Sequence, residues 1–239
     1  MDRQSIEIRR VPVGPLSTNC YLVWLTGPAH QRGDERAHRG AAEGEAQADR
    51  APAVVIDPGA APARLLNVIG ENRLDVQAII NTHGHPDHIG GNAALRKATG
   101  APVYVGEGDA PMLEAPLDLF GLLDRSGASR ENLAADRILR GGETLRVAGL
   151  EFAVLDTPGH TPGGISLWLR DHKVVFTGDT LFCRGVGRTD FPGGHESTLM
   201  DSIYEVLFSL DDETIVLPGH GVETTIAAEK EWHGVGRSR

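Results

Sequence analysis

The sequence is poor in cysteine and has neither a long apolar run nor an apolar signal core near its start. Cys20 and Cys183 are far apart among 239 residues, so two free thiols in a reducing cytosol are expected rather than a disulfide. No stretch approaches the roughly 18 apolar residues of a membrane span, and residues 1–5 lead into no signal core. These absences predict a soluble, cytoplasmic protein with no membrane partner.

Positive charge is also in deficit. The chain has 23 Lys and Arg against 33 Asp and Glu, a formal net charge of −10. Such a surface repels the phosphates of nucleic acids, so no nucleic-acid partner is expected. Hydrophobic residues make up 40% of the chain, which is enough for a substantial core. We expect a single domain over residues 1–239 that is a monomer or a homodimer.

Short apolar runs predict many strands and a few helices. Residues 6–11 alternate apolar and polar side chains, and a Gly-Pro turn separates them from the apolar run 20–25, which predicts a hairpin. Further strands are predicted at 54–56, 76–80, 103–105, 144–147, 151–155, 165–169, 173–177 and 215–217. Helices are predicted at 61–70, 92–98, 195–210 and 223–232. Strands come in two batches, each closed by helices, which indicates an α+β fold of two packed sheets with helices outside.

Two stretches show no clear periodicity. Residues 27–52 are rich in Ala, Gly, Arg, Glu and Asp, which predicts a flexible polar insertion between strands. Residues 106–135 mix Gly, Pro and Asp with scattered leucines, which predicts broken helix and loop. Apolar side chains there would line a substrate wall or pack onto the core: Leu113, Leu117, Leu119, Phe120 and Leu122.

The densest chemical motif is Thr-His-Gly-His-Pro-Asp-His-Ile-Gly-Gly at residues 82–91. It places His83, His85, Asp87 and His88 close together, directly after a predicted strand. Neutral imidazole and carboxylate are ligands that zinc, manganese and iron accept. The motif therefore predicts about half of a metal site at the carboxyl end of that strand.

Three more ligand-type residues follow later strands. His160, Asp179 and His220 each stand beside glycine, where the backbone can turn and come close to an ion. Seven ligands are too many for one tetrahedral zinc. They suit two divalent ions, divided as His83, His85 and His160 for one, Asp87, His88 and His220 for the other, and Asp179 as a bridge.

The sequence around the remaining candidate site residues gives less support for a role in metal binding. A single histidine is more often structural than a ligand, and His172, His195 and His233 are assigned no role. Asp57 precedes Pro-Gly and is interpreted as a turn residue, or as an outer residue that orients a ligand histidine through a hydrogen bond.

The segment 83–88 resembles the His-x-His-x-Asp-His signature of the metallo-β-lactamase superfamily. His160, Asp179 and His220 match the remaining ligand positions of that family in order. The resemblance implies an αββα sandwich with the metals at one edge of the two sheets. True β-lactamases usually carry cysteine or another residue at the place of Asp179, which disfavours antibiotic hydrolysis.

Within the superfamily, residues 14–23, 178–182 and 187–191 look like short bacterial members of the glyoxalase II branch. This resemblance implies that hydroxide bridging two divalent ions hydrolyses a small thioester such as S-lactoylglutathione. Zinc is the first expectation for the ions, with iron or manganese as alternatives. Asp87 would also take up and return a proton. Arg188 would contact the thiol part of the substrate, with a structural salt bridge as the alternative.

Two other reactions stay open. Persulfide dioxygenases resemble the segment 187–190 and hold one iron through two histidines and a carboxylate, which His83, His160 and Asp179 would supply. The presence of all seven ligands favours the two-metal hydrolase. Lactone hydrolysis by the same metal pair is the third hypothesis.

Overall fold

The computed structural model describes residues 5–26, 50–115 and 133–235. Its first sheet has six strands in chain order. They are β1 (Ser5–Val13), β2 (Thr18–Thr26), β3 (Ala51–Ile56), β4 (Leu74–Asn81), β5 (Val103–Gly106) and β6 (Arg137–Leu139). Strands β1 to β3 pair antiparallel, which confirms the predicted hairpin, and β3 to β6 run parallel.

The second sheet has six strands in the order β14-β13-β10-β9-β8-β7. They are β7 (Thr144–Val147), β8 (Leu150–Asp156), β9 (Ile165–Leu169), β10 (Val174–Gly178), β13 (Ile215–Pro218) and β14 (Thr224–Thr225). A small hairpin of β11 (Leu181–Phe182) and β12 (Gly185–Val186) follows β10. Because β10 and β13 are parallel and β9 is antiparallel to both β8 and β10, the carboxyl ends of β8, β10 and β13 lie at one edge.

Helices cover the outer faces of both sheets. They are α1 (Pro62–Glu71), α2 (Pro86–Ile89), α3 (Asn92–Thr99), α4 (Ala110–Glu114), α5 (Glu196–Asp201) and α6 (Ile226–Trp232). A 3-10 turn, Glu107–Asp109, leads from β5 into α4.

Alternation along the strands creates three apolar layers. In β3, Val54 and Ile56 pack between the sheets, whereas Ala53 and Val55 pack under the helices of the first sheet. In the second sheet, Val175 packs against the α5 region. Because both faces of such a strand are buried, apolar and polar residues do not alternate along it. The strand therefore appears in the sequence as a short run of apolar residues. The result is the expected αββα sandwich.

Two predicted helices needed correction. The periodicity over 195–210 predicted one helix, but α5 passes into a π-helical segment, Ser202–Val206, and then a 3-10 turn, Leu207–Ser209. Val206, at the end of the π-helical segment, is only half-buried. The last helix starts at Ile226 rather than 223, because Thr224–Thr225 extends the second sheet as β14 and the Thr225 hydroxyl caps the helix.

Some expectations fall on residues that the structure leaves undescribed. The predicted insertion 27–52 lies outside the described residues up to residue 49, and its last two residues, Ala51 and Pro52, belong to β3. Of the apolar side chains considered for a substrate wall, Leu113 packs in the core. The others, Leu117, Leu119, Phe120 and Leu122, lie outside the described residues. Throughout the described ranges, the helices are too short or too polar to cross a lipid bilayer.

Candidate metal centre

The seven predicted ligands meet at one edge of the sandwich. His83 and His85 follow β4, and Asp87 and His88 lie in the single turn of α2. The others follow the second sheet's strands β8, β10 and β13: His160, Asp179 and His220. They lie together because parallel strands have their carboxyl ends at the same edge of a sheet, and the loops that follow these ends carry the ligands.

The first triad consists of His83, His85 and His160, whose ligand atoms lie within 4.8 Å of one another. His85 Nδ1 and His160 Nε2 face each other at 2.8 Å. Among the described residues, the buried His83 Nε2 has no hydrogen-bond partner. Burial, and then the neighbouring imidazoles, lower the pKa of His83, and the same causes lower the pKa of His85 to about 3. Both rings are therefore neutral at pH 7, the form that binds a metal.

The second triad consists of Asp87, His88 and His220. Asp87 Oδ2 lies 3.5 Å from His88 Nε2 and 3.2 Å from His220 Nε2, and the two histidine nitrogens are 3.3 Å apart. Ligand atoms about 2.0–2.2 Å from a tetrahedral zinc lie about 3.3–3.6 Å from one another. The spacing of these three atoms therefore fits a single divalent ion.

Asp179 lies between the two triads. Its Oδ2 is 3.6 Å from His160 Nε2 in the first triad and 3.5 Å from His220 Nε2 in the second. Its Oδ1 is 3.4 Å from His88 Nε2. One buried carboxylate thus approaches ligands of both triads, which is the arrangement that a bridging ligand requires.

The charges of the second triad favour a cation. Burial raises the pKa of Asp87, but the His88 charge and hydrogen bonds from two neighbours outweigh it and bring the pKa below the usual carboxyl range. Burial lowers the pKa of His88, yet Asp179, Asp87 and Asp57 outweigh it and raise that pKa. A low pKa makes Asp87 a weak base, which suits a metal ligand. Its predicted proton-transfer role stays a prediction.

Outer hydrogen bonds orient the ligand side chains. Asp57 Oδ2 lies 3.0 Å from His88 Nδ1 and also accepts from the Thr82 hydroxyl at 2.6 Å, so Asp57 has the orienting contact considered for it. Thr18 donates to Asp87 Oδ2 at 2.9 Å. His220 Nδ1 lies 3.2 Å from the Leu16 carbonyl. Sequence patterns gave no sign of the Thr18 and Leu16 contacts, because both cross long stretches of chain.

Arg188 contributes to the centre through its backbone. Its carbonyl oxygen lies 2.7 Å from His160 Nδ1 and orients that ring. Its guanidinium donates to both carboxylate oxygens of Asp190, at 2.7 and 2.6 Å, and lies 3.8 Å from the centroid of the Phe191 ring. The salt bridge considered as the alternative is therefore formed, and contact with a thiol substrate stays a prediction.

Replacing Gly219 by alanine is expected to disrupt the centre. A methyl group there would overlap Asp179 Oδ1 and lie 2.7 Å from His88 Cε1. Both ligands must then move, and we expect metal affinity and turnover to fall by about 10- to 100-fold, as for changes beside metal ligands generally. Metal content and kcat/KM would be measured together.

A matched control is Gly70→Ala in α1, where the added methyl group meets nothing within 4 Å. This substitution should stabilise the helix by up to about 1 kcal/mol and leave metal content unchanged. Equal behaviour of the two variants would show that Gly219 does not crowd a metal ligand.

Comparisons with known proteins agree with this fold. The family model of the metallo-β-lactamase superfamily matches residues 47–220. The hydroxyacylglutathione hydrolase GloC of Haemophilus influenzae is 35% identical over 230 residues, covering 94% of this chain and 95% of that protein. The crystal structure of the BLEG-1 B3 metallo-β-lactamase is similar with a TM-score of 0.77 and 32% identity, covering 94% and 97% of the two chains. That of ETHE1 from Myxococcus xanthus has a TM-score of 0.68 and 36% identity, covering 97% and 86%.

Proposed function

The chain belongs to the metallo-β-lactamase superfamily, and from that premise we propose that it is a binuclear metallohydrolase of small thioesters such as S-lactoylglutathione. The observation that carries this proposal is the position of Asp179, whose carboxylate approaches ligands of both triads. A one-metal enzyme would need only part of the ligand set, such as His83, His160 and Asp179, whereas a bridged pair uses both triads.

The donor set fits two divalent ions by its chemistry. The first triad offers three imidazole nitrogens, and the second offers two imidazoles and a carboxylate. Zinc, iron and manganese all accept such ligands, and zinc is our first assignment. When bound, a pair of such ions polarises a carbonyl oxygen and lowers the pKa of water held between them.

The protein's own residues position the reactants. In thioester hydrolysis, water adds to the carbonyl carbon, the carbon–sulfur bond breaks, and a carboxylate and a thiol are released. Half-buried aromatic rings flank the centre on two sides: the Phe191 ring lies 5.6 Å from the His85 ring, and the Phe182 ring 6.3 Å from the His220 ring. We propose that the substrate lies between these rings, which would exclude bulk water and orient the thioester carbonyl.

Roles for Asp87 and Arg188 form part of the proposal. Asp87 would act first as a ligand, held by the Thr18 hydroxyl, and would exchange a proton with the departing product. Arg188 would meet the thiol part of the substrate from the rim beside Phe191. For this contact the guanidinium must also bind the substrate while it is paired with Asp190, or break that ion pair. Because 51% of the Arg188 side chain is accessible, a substrate in solution can reach it.

Similarity to a hydroxyacylglutathione hydrolase supports thioester hydrolysis. A second candidate, persulfide dioxygenation with one iron, is favoured by the similarity to ETHE1 at 36% identity. Because the chain is also similar to the metallo-β-lactamase BLEG-1, β-lactam hydrolysis should be tested as well, although Asp179 disfavours it.

A substrate screen tests the proposal. S-lactoylglutathione, a simple hydroxyacyl thioester, a lactone, a cephalosporin and glutathione persulfide would be compared by kcat/KM, with oxygen uptake recorded. We expect the thioesters to exceed the lactone and the cephalosporin by at least about 100-fold, or roughly 2.7 kcal/mol of transition-state stabilisation. Oxygen consumption with the persulfide and no thioester turnover would establish the dioxygenase instead.

A further inference from the structure

Asp109 joins the two loops that carry the first triad. It ends the 3-10 turn after β5 and is fully buried. Its Oδ2 accepts a hydrogen bond from the backbone N–H of Gly84 at 2.8 Å, and its Oδ1 accepts from that of Gly163 at 2.6 Å. Gly84 separates His83 from His85, and Gly163 lies three residues after His160. One carboxylate therefore links the loop of two ligands to the loop of the third.

The segment 108–112 packs directly on both loops. A methyl group on Gly84 would lie 2.6 Å from Met112 Cβ, and one on Gly108 would lie 2.8 Å from the nitrogen of Gly163. A methyl group on Gly163 would overlap the backbone nitrogen of Asp109. Among the described residues, the hydrogen bonds that these two N–H groups donate go to the Asp109 carboxylate.

The second triad is held by other contacts. Its members are oriented by Thr18 on Asp87, Asp57 on His88 and the Leu16 carbonyl on His220. The Asp109 carboxylate interacts with Gly84, Gly163 and the Thr161 side chain, and within the described ranges none of its hydrogen bonds goes to this triad. A change at Asp109 should therefore act on one of the two ions.

We propose that Asp109 is a positioning residue that sets the separation of His83 and His85 from His160, and with it the affinity of the ion held by the first triad. The inference rests on the two-ion centre of the proposed function but not on the identity of the substrate. Its test is therefore metal binding rather than turnover.

The experiment measures how Asp109→Asn changes the affinity of each ion separately. Asparagine keeps the size of the side chain, but its amide nitrogen cannot accept a hydrogen bond from a backbone N–H. His220→Ala disables the second triad, and His160→Ala disables the first, so each background leaves one ion to be titrated with Zn²⁺ against a competing chelator. In the His220→Ala background we expect Asp109→Asn to lower the affinity for the remaining ion by about 10- to 100-fold. In the His160→Ala background we expect no change beyond about twofold.

Asp136→Asn is the matched control, since its carboxylate accepts from the backbone N–H of Val103 at 2.8 Å, at the far end of β5 from Asp109. It should alter neither affinity. If circular dichroism shows that Asp109→Asn does not fold, Asp109→Glu takes its place. This variant should lower the affinity for the same ion. Equal weakening in both backgrounds, or none in either, would overturn the inference. A wild-type chain that binds a single ion would instead contradict the two-ion centre itself.

Discussion

The Asp179→Ala variant is expected to lose thioester hydrolysis while remaining folded. Asp179 Oδ1 lies 3.4 Å from His88 Nε2, and Oδ2 lies 3.6 Å from His160 Nε2. Removing this carboxylate leaves two triads without a shared ligand, so at least one ion should be lost. We expect kcat/KM to fall by about 1,000-fold or more, which corresponds to roughly 4 kcal/mol of barrier.

Turnover, metal content and thermal unfolding of Asp179→Ala should be compared with those of Asp212→Asn. The Asp212 carboxylate pairs with Lys230 at 2.6 Å on the surface, away from the centre, and exposed pairs contribute little to stability. The control should therefore retain both ions and full activity. Unchanged turnover in Asp179→Ala would refute the assignment of Asp179 as a bridging ligand.

Removal of metal by a chelator is expected to abolish activity and lower the unfolding temperature. The buried His83 Nε2 lacks a hydrogen-bond partner among the described residues, and three carboxylates surround His88. A ligand that binds only the folded state at 1,000 times its Kd stabilises by about 4 kcal/mol. For a domain of this size that corresponds to a shift of about 10 °C. Differential scanning calorimetry with and without chelator measures the shift.

Metal addition provides the control for this prediction. Zinc, iron and manganese, each added separately, should restore the unfolding temperature, and at least one should restore hydrolysis. A His88→Ala variant should respond less to the chelator, since its second triad is already incomplete. Identical unfolding curves and activity with and without chelator would mean that these residues form a structural cluster without metal.

The layered fold could be predicted because central strands such as β3 and β10 are buried on both faces. Val54 and Ile56 contact one layer and Ala53 and Val55 the other, so the chain there is continuously apolar and recognisable. The grouping of the ligands was also predictable, since each follows a strand end beside glycine. The two triads proposed from ligand counting are two of the three groups of possible metal ligands that the described residues bring together; the third consists of Asp57, His83 and His88.

Other features depend on contacts that leave no local pattern. The hydrogen bond from Thr18 to Asp87 joins residues 69 positions apart, and those of Asp109 reach two loops through backbone N–H groups of any residue type. The segment 195–210, predicted as one helix, is helical but α-helical only in its first part, for a related reason. Apolar spacing indicates a buried face but does not distinguish an α-helix from the π-helical segment that follows α5.

The number of metal ions per chain, measured by elemental analysis on a sample assayed for thioester hydrolysis and oxygen uptake, tests the central claim most directly. We expect two divalent ions per chain and hydrolysis without oxygen consumption. One iron per chain, with oxygen consumed in the presence of glutathione persulfide, would contradict the two-metal hydrolase.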